Sequence, residues 1–267
     1  MALDLRELQL QVESEHSIEK LRETLTKAVK FLSCDSQKYT SMVFRDLRNN
    51  FPIQNLEEKN IFLMSEKLHP TYAIPDEFKS YALGLFSANE FPIYADRLVY
   101  PVRDVKGNVM GLCGWDPVEQ PKYLDSKTYG YNAKRNTLYG MEKLKDYYTS
   151  TNPVFITEGI VCCNYLRANG FNSLALLGSS ISSYVVEILK RFERRCVLIP
   201  DNDEAGLHIY TTALKSLPKA QCFVSVVAKD IDDTRSVDNH KYEQDLLNDL
   251  SKMSNPFYQP IVFRKIK

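Results

Sequence analysis

The chain lacks a charge imbalance, a metal-binding cysteine pattern and any long apolar run, and each absence removes a class of protein. Lys plus Arg and Asp plus Glu each number 34 in 267 residues, so no overall basic charge advertises nucleic acid, and such a surface must be local. The six cysteines, Cys34, Cys113, Cys162, Cys163, Cys196 and Cys222, include no Cys-x-x-Cys pair, and no His stands at ligand spacing. A zinc ribbon and a disulfide scaffold are both unsupported; the cysteines read as buried apolar residues in a reducing compartment. The start, Met1-Ala2-Leu3-Asp4-Leu5, has neither the basic flank nor the apolar run of a signal peptide, and no stretch is long enough to span a bilayer. A cytoplasmic protein with no membrane partner is expected. A hydrophobic content of 44% is ordinary for a globular chain, and the length allows one large domain or two small ones.

What the chain does have is three acidic clusters in its second half, each just after a short apolar run. Val154-Phe155-Ile156-Thr157 precedes Glu158-Gly159, Cys196 to Pro200 precedes Asp201-Asn202-Asp203, and Cys222 to Val227 precedes Asp230-Ile231-Asp232. Short β-rich runs alternating with helix-length polar stretches read as βαβ units, hence a parallel sheet with helices on its faces. In such a sheet the strand C-termini share one edge, and ligands bind there. Glu158, Asp201, Asp203, Asp230 and Asp232 are therefore expected at one rim. Five carboxylates brought together repel one another, and hard oxygen ligands with no nearby His or Cys favour Mg²⁺ or Mn²⁺. From Asp201 to Leu250 ten acidic residues face five basic ones, an excess that suits a cation site.

Ahead of these clusters the pattern changes at Arg97. Arg97 to Asp104 reads as a strand, Lys106-Gly107-Asn108 as a turn and Val109 to Trp115 as the return strand of a hairpin. Pro121-Lys122-Tyr123-Leu124-Asp125-Ser126 follows, and then Lys134-Arg135-Asn136-Thr137-Leu138-Tyr139-Gly140. Between Lys122 and Lys145 six basic residues stand against two acidic ones. Cations interleaved with aromatic rings suit the phosphates and bases of a single-stranded nucleic acid or a nucleotide, although basic hairpins also arise without that role.

Elsewhere the signals are structural. Apolar residues from Leu5 to Leu32 recur at helical spacing and give one or two amphipathic helices, and residues 33–88 keep a mixed helical pattern broken at Pro52, Pro70 and Pro75. Asp146 to Asn152 reads as a polar link. A helix is expected from about Cys162 to Asn169 and a strand over Ser173 to Leu177, followed by Gly178-Ser179-Ser180-Ile181-Ser182. Ser182 can cap a helix running to Arg195, or the hydroxyls of this turn can hold a phosphate.

The ordered set Glu-Gly, Asp-x-Asp-x-Ala-Gly and Asp-x-Asp, each after an apolar strand, resembles the Toprim domain shared by DnaG-type primases, topoisomerases and some nucleases. Arg-Leu-Val-Tyr-Pro-Val-Arg-Asp, a Gly turn, Gly-x-x-Gly, Pro-Lys-Tyr-Leu-x-Ser and Leu-Tyr-Gly, just ahead of it, resemble the amino-terminal half of the RNA polymerase core of bacterial and phage DnaG-type primases. The likeness runs from about Arg97 to Asp232.

It implies an α/β fold: a Toprim domain at 151–240, a basic α+β lobe at 89–150 before it, a helical region at 1–88 and a tail at 241–267 packed on the body. The implied activity is that of a DNA primase, making short RNA primers on single-stranded DNA by two-metal nucleotidyl transfer. Glu158, Asp201 and Asp203 would be catalytic, and with Asp230 and Asp232 they would hold Mg²⁺ or Mn²⁺. Lys122, Lys134, Arg97, Arg135 and Ser179 would bind nucleotide or template.

Implied partners are the single-stranded template, ribonucleoside triphosphates, and a replicative helicase or a separate template-recognition protein, in a bacterial or phage-infected cell. A Toprim nuclease is the alternative. Another is a catalytically weakened Toprim protein that binds nucleotide or a replication partner. Two departures motivate the last reading: Cys162 stands where the family has Asp, and Trp115 where its hairpin ends in Arg. A topoisomerase would need a nucleophilic tyrosine on a further domain, and none fits. Relative to the family, an amino-terminal zinc domain is not evident and the tail is short, so recruitment is expected to depend on other proteins.

Overall fold

A computed structural model describes residues 17–33, 62–64, 74–87, 89, 91–95, 97–116, 120–126, 137–177, 181–192, 195–199, 215–217 and 221–222. Backbone contacts divide them into two compact units, one holding the described residues up to 126 and the other those from 137.

The first unit is built on an antiparallel sheet of order β1-β2-β3-β4, with β1 at Phe62–Met64, β2 at Arg97–Arg103, β3 at Val109–Trp115 and β4 at Tyr123–Asp125. The expected hairpin is β2 and β3, and Asp104 shapes its turn: its Oδ1 accepts from the backbone N–H groups of Lys106 and Asn108 at 2.8 and 3.0 Å. Helix α1, over 17–33, lays Leu25, Ala28 and Val29 into the core with Phe78, Leu83, Val99 and Leu112. Those positions recur at the i, i+3, i+4 spacing of one helical face. Thr26 fastens that helix to the sheet, its Oγ1 accepting from Val109 N at 2.9 Å.

Strand β1 was not expected, because residues 33–88 carry a helical pattern; three residues are too few for a local signal, and pairing with β2 through Leu63↔Leu98 defines the strand instead. Short 3₁₀ turns at Asp76–Lys79 and Tyr81–Leu83 replace the longer helices in the described part of that region.

The second unit is the parallel sheet that the acidic clusters implied. Its order is β6-β5-β7-β8, with β5 at Val154–Thr157, β6 at Asn172–Ala175, β7 at Cys196–Ile199 and β8 at Gln221–Cys222, all neighbours parallel. Every residue of β5 and β7 is buried, as strands covered on both faces must be. Alternation puts Val154, Ile156, Cys196 and Leu198 on the face that packs with Leu144, Tyr147, Val185 and Leu189, and puts Phe155 on the other, edge-on to Phe171.

Three helices whose full range lies among the described residues accompany the sheet: α2 at Leu144–Thr149, α3 at Ile160–Ala168 and α4 at Ser183–Lys190. The polar stretch expected as a link is in part α2: Leu144 and Tyr147, three apart, bury one face in this unit's core. Backbone contacts accordingly group α2 with the second unit. Helix α3 starts two residues earlier than expected and α4 ends well before Arg195. Ser182 is the α4 N-cap, its side chain accepting from Val185 N at 3.2 Å, so the capping reading of that residue holds.

Candidate functional site

Glu158 is the one predicted metal ligand among the described residues. It follows Thr157, the last residue of β5, and is half-buried at the turn into α3. Thr157 is 1% exposed and braces that turn: its Oγ1 donates to Gly159 O at 3.0 Å and its carbonyl accepts from Leu176 N at 2.8 Å. Gly159 has an ordinary extended backbone, φ −92 and ψ 148, so the turn itself makes no demand for glycine there.

Register carries the rim further. Thr157 pairs with Ile199 of β7, so the chain leaves both strands at the same edge, with Glu158 one residue beyond β5 and Asp201 two residues beyond β7. Asp201, Asp203, Asp230 and Asp232 lie outside the described residues, as do Lys134, Arg135 and Ser179. Among the described residues no group of three or more His, Cys, Asp or Glu is placed to hold a metal ion. The one described member, Glu158, is a half-buried carboxylate one residue beyond β5, a hard oxygen donor of the kind a divalent cation takes.

The two departures from the family pattern are buried. Cys162 is 6% exposed in the first turn of α3 and Trp115 is 1% exposed at the end of β3, so both belong to the packing of their units. No described cysteine forms a disulfide.

In the first unit Arg97, which the resemblance assigns to nucleotide or template binding, is a buried residue. It is 9% exposed, and its Nη1 donates to Pro121 O at 2.9 Å and to Lys122 O at 3.3 Å. That burial has a physical cause: β4 pairs with β3 and carries the 120–122 segment to the Arg97 side chain, which is thereby held among backbone carbonyls. Lys122 itself is partly exposed, immediately before β4. Neighbouring Cys113 has its thiol pKa pushed well above the ordinary value, by burial first and then by Asp125, with Arg97 opposing.

The Leu-Tyr-Gly motif is a strut of the second unit. Tyr139 bridges antiparallel to Ala175, with N–H to carbonyl bonds of 2.9 and 3.2 Å, and its hydroxyl pairs with the Asn164 side chain. Arg167 lies over the Tyr139 ring at 5.5 Å, donates from Nε to Ser173 O at 2.8 Å and reaches Glu142 at 3.5 Å. Burial opposes the charge on Arg167, and the surrounding Cys163, Tyr147, Tyr139 and Glu142 raise its pKa further above the usual arginine value. Sequence reasoning missed Asn164 and Arg167; the only signal was the fixed glycine at 140, whose φ is +94°.

A parallel sheet with a carboxylate at the end of its first strand, and an acidic pair two residues past the next, defines a Toprim-type unit. Residues 155–235 match the family described as Toprim-like, and residues 66–145 match the DNA primase catalytic core, N-terminal domain. The chain thus carries both parts of the DnaG-type primase catalytic core and belongs to that family.

Among relatives, the DNA primase of Legionella pneumophila is 29% identical over 126 residues, 46% of this chain and 22% of that protein. The matches to the first two curated relatives span 22% and 25% of their lengths. A solved DnaG catalytic core shares the fold with a TM-score of 0.64 at 20% identity, covering 88% of this chain and 86% of that one. A DnaG primase catalytic domain bound to single-stranded DNA gives 0.60 at 20% identity, with 89% of each chain covered. The match over 66–145 favours the primase branch over a Toprim nuclease. No described helix is long and apolar enough to cross a membrane.

Proposed function

We propose that this chain is the polymerising core of a DNA primase, joining ribonucleotides into short RNA primers on a single-stranded DNA template. The observation that carries the reading is the parallel register that releases Glu158 and the Asp201 segment from one sheet edge, in a chain whose preceding segment matches the primase core. Glu158, Asp201 and Asp203 form the catalytic set, and with Asp230 and Asp232 they hold Mg²⁺ or Mn²⁺. When bound, such ions lower the pKa of an attacking 3′-hydroxyl and neutralise charge on the transferring phosphate.

The protein's own contribution is placement. Thr157 fixes the turn that presents Glu158 just ahead of α3. Lys122, Lys134 and Arg135 hold the triphosphate or the template backbone, and Ser179, ahead of α4 in the sequence, offers a hydroxyl to phosphate. The solved primase domain bound to single-stranded DNA supports that template class. The reading carries with it a bacterial or phage-infected cytoplasm and recruitment by a replicative helicase or a template-recognition protein.

The test is direct. Purified protein is incubated with single-stranded DNA, labelled ribonucleotides and Mg²⁺ or Mn²⁺, and short RNA products are expected. Cleaved DNA would replace the reading with a nuclease, and an inert protein in both metals would leave a binding role only.

A further inference from the structure

We propose that Arg97 is a positioning residue for Lys122 and not itself a phosphate ligand; this rests on the reading of Lys122 as a phosphate contact given above. Its Nη1 donates to two successive carbonyls, Pro121 O at 2.9 Å and Lys122 O at 3.3 Å, and Lys122 O also accepts from Asp116 N at 3.0 Å. The backbone of Lys122 is therefore gripped from two sides, by the end of β3 and by the first residue of β2. A planar guanidinium can bridge adjacent carbonyls; a lysine ammonium is a point donor on a flexible stem.

The sheet is cut to let this arginine through. A Cβ on Gly114 would lie 3.2 Å from Arg97 Cδ and 2.6 Å from Tyr94 Cδ1, so a side chain there would displace the arginine stem or the tyrosine ring. At 9% exposure Arg97 presents little surface to a bound strand, while Lys122, partly exposed one residue before β4, stands at the outer end of the same bonds. Arg97 thus acts on phosphate through the placement of Lys122.

The experiment is a double-mutant cycle on the full chain, with a fluorescein-labelled oligothymidylate as probe and anisotropy read over a salt series. Lys122→Ala should weaken binding and reduce the slope of log affinity against log salt by about 0.7, the signature of one lost phosphate contact on a single strand. Arg97→Met should produce the same reduction alone and none beyond it when combined with Lys122→Ala. Arg97→Lys, able to reach one carbonyl, should fall between parent and Arg97→Met, and it replaces Arg97→Met in the cycle should that variant fail to fold. A slope reduced by about 1.4 in the double variant would make Arg97 a phosphate ligand in its own right and overturn the inference. So would an Arg97→Met protein with parental affinity and slope. Failure of the parent chain to bind the oligonucleotide would sink the reading of Lys122 as well, whereas normal parental binding with either adverse result sinks this inference alone.

Discussion

Replacing Gly140 by Ala should destabilise the second unit by about 3 to 5 kcal/mol, the sum of backbone strain and a displaced buried arginine. The backbone there sits at φ +94°, outside the regions open to residues with a Cβ, at a cost of about 1 to 2 kcal/mol. The larger part comes from Arg167: a Cβ on residue 140 would lie 1.7 Å from its Nη2 and 2.7 Å from its Cζ. No rotamer adjustment of a few tenths of an ångström relieves that overlap, so the guanidinium must leave its bond to Ser173 O and its pairing with Glu142. Losing the charged-donor bond to Ser173 O costs about 1.5 to 3 kcal/mol, and the 3.5 Å pairing with Glu142 adds little to that. Urea unfolding followed by circular dichroism measures the loss. In an Arg167→Met background the same glycine change should cost only the backbone part, because the two effects share one side chain. A loss below about 1 kcal/mol in the parent background would refute the assignment of Leu-Tyr-Gly as a strut held by Arg167.

Removing the α4 cap with Ser182→Ala should lower stability by about 1 kcal/mol, readable as a shifted urea midpoint with unchanged slope. Stability should also fall on the alkaline side. Burial pushes the Cys196 thiol up from 9.0 to about 12, so the folded state keeps its proton longer; the contribution is whole below pH 9 and shrinks as pH climbs toward 12. Unfolding midpoints at pH 8 and pH 10.5 should therefore diverge less in Cys196→Val than in the parent, and equal divergence would exclude the thiol as a cause. Cys162→Asp, which restores the family's residue at a position only 6% exposed, should destabilise the metal-free protein by about 1 to 3 kcal/mol, with the loss partly reversed by added Mn²⁺.

The parallel sheet was legible because β5 and β7 are continuous apolar runs, a pattern that only burial on both faces produces, and because each is followed by acid. The hairpin was legible because its turn chemistry is local: Asp104 and Gly107 lie within the turn they shape. Strand β1 was hidden, since three residues acquire strand geometry only by pairing with β2, more than thirty positions later in the chain. Helix α2 was hidden by its polar residues, its burial resting on Leu144 and Tyr147.

At the site, the family resemblance implied that Arg97 binds nucleotide or template. Its burial depends on β4 crossing beside β3, which no local pattern encodes. Arg167 and Glu142 are 25 residues apart, so their pairing was equally invisible before the chain folded.

Manganese binding tests the rim most directly. Electron paramagnetic resonance of Mn²⁺ titrated into the parent chain should show bound ion, with binding lost in the Asp201→Asn, Asp203→Asn double variant and weakened in Glu158→Gln, each variant keeping the parental circular dichroism spectrum. Mn²⁺ held equally well by the parent and by the double variant would contradict the assignment of these carboxylates to one cation site.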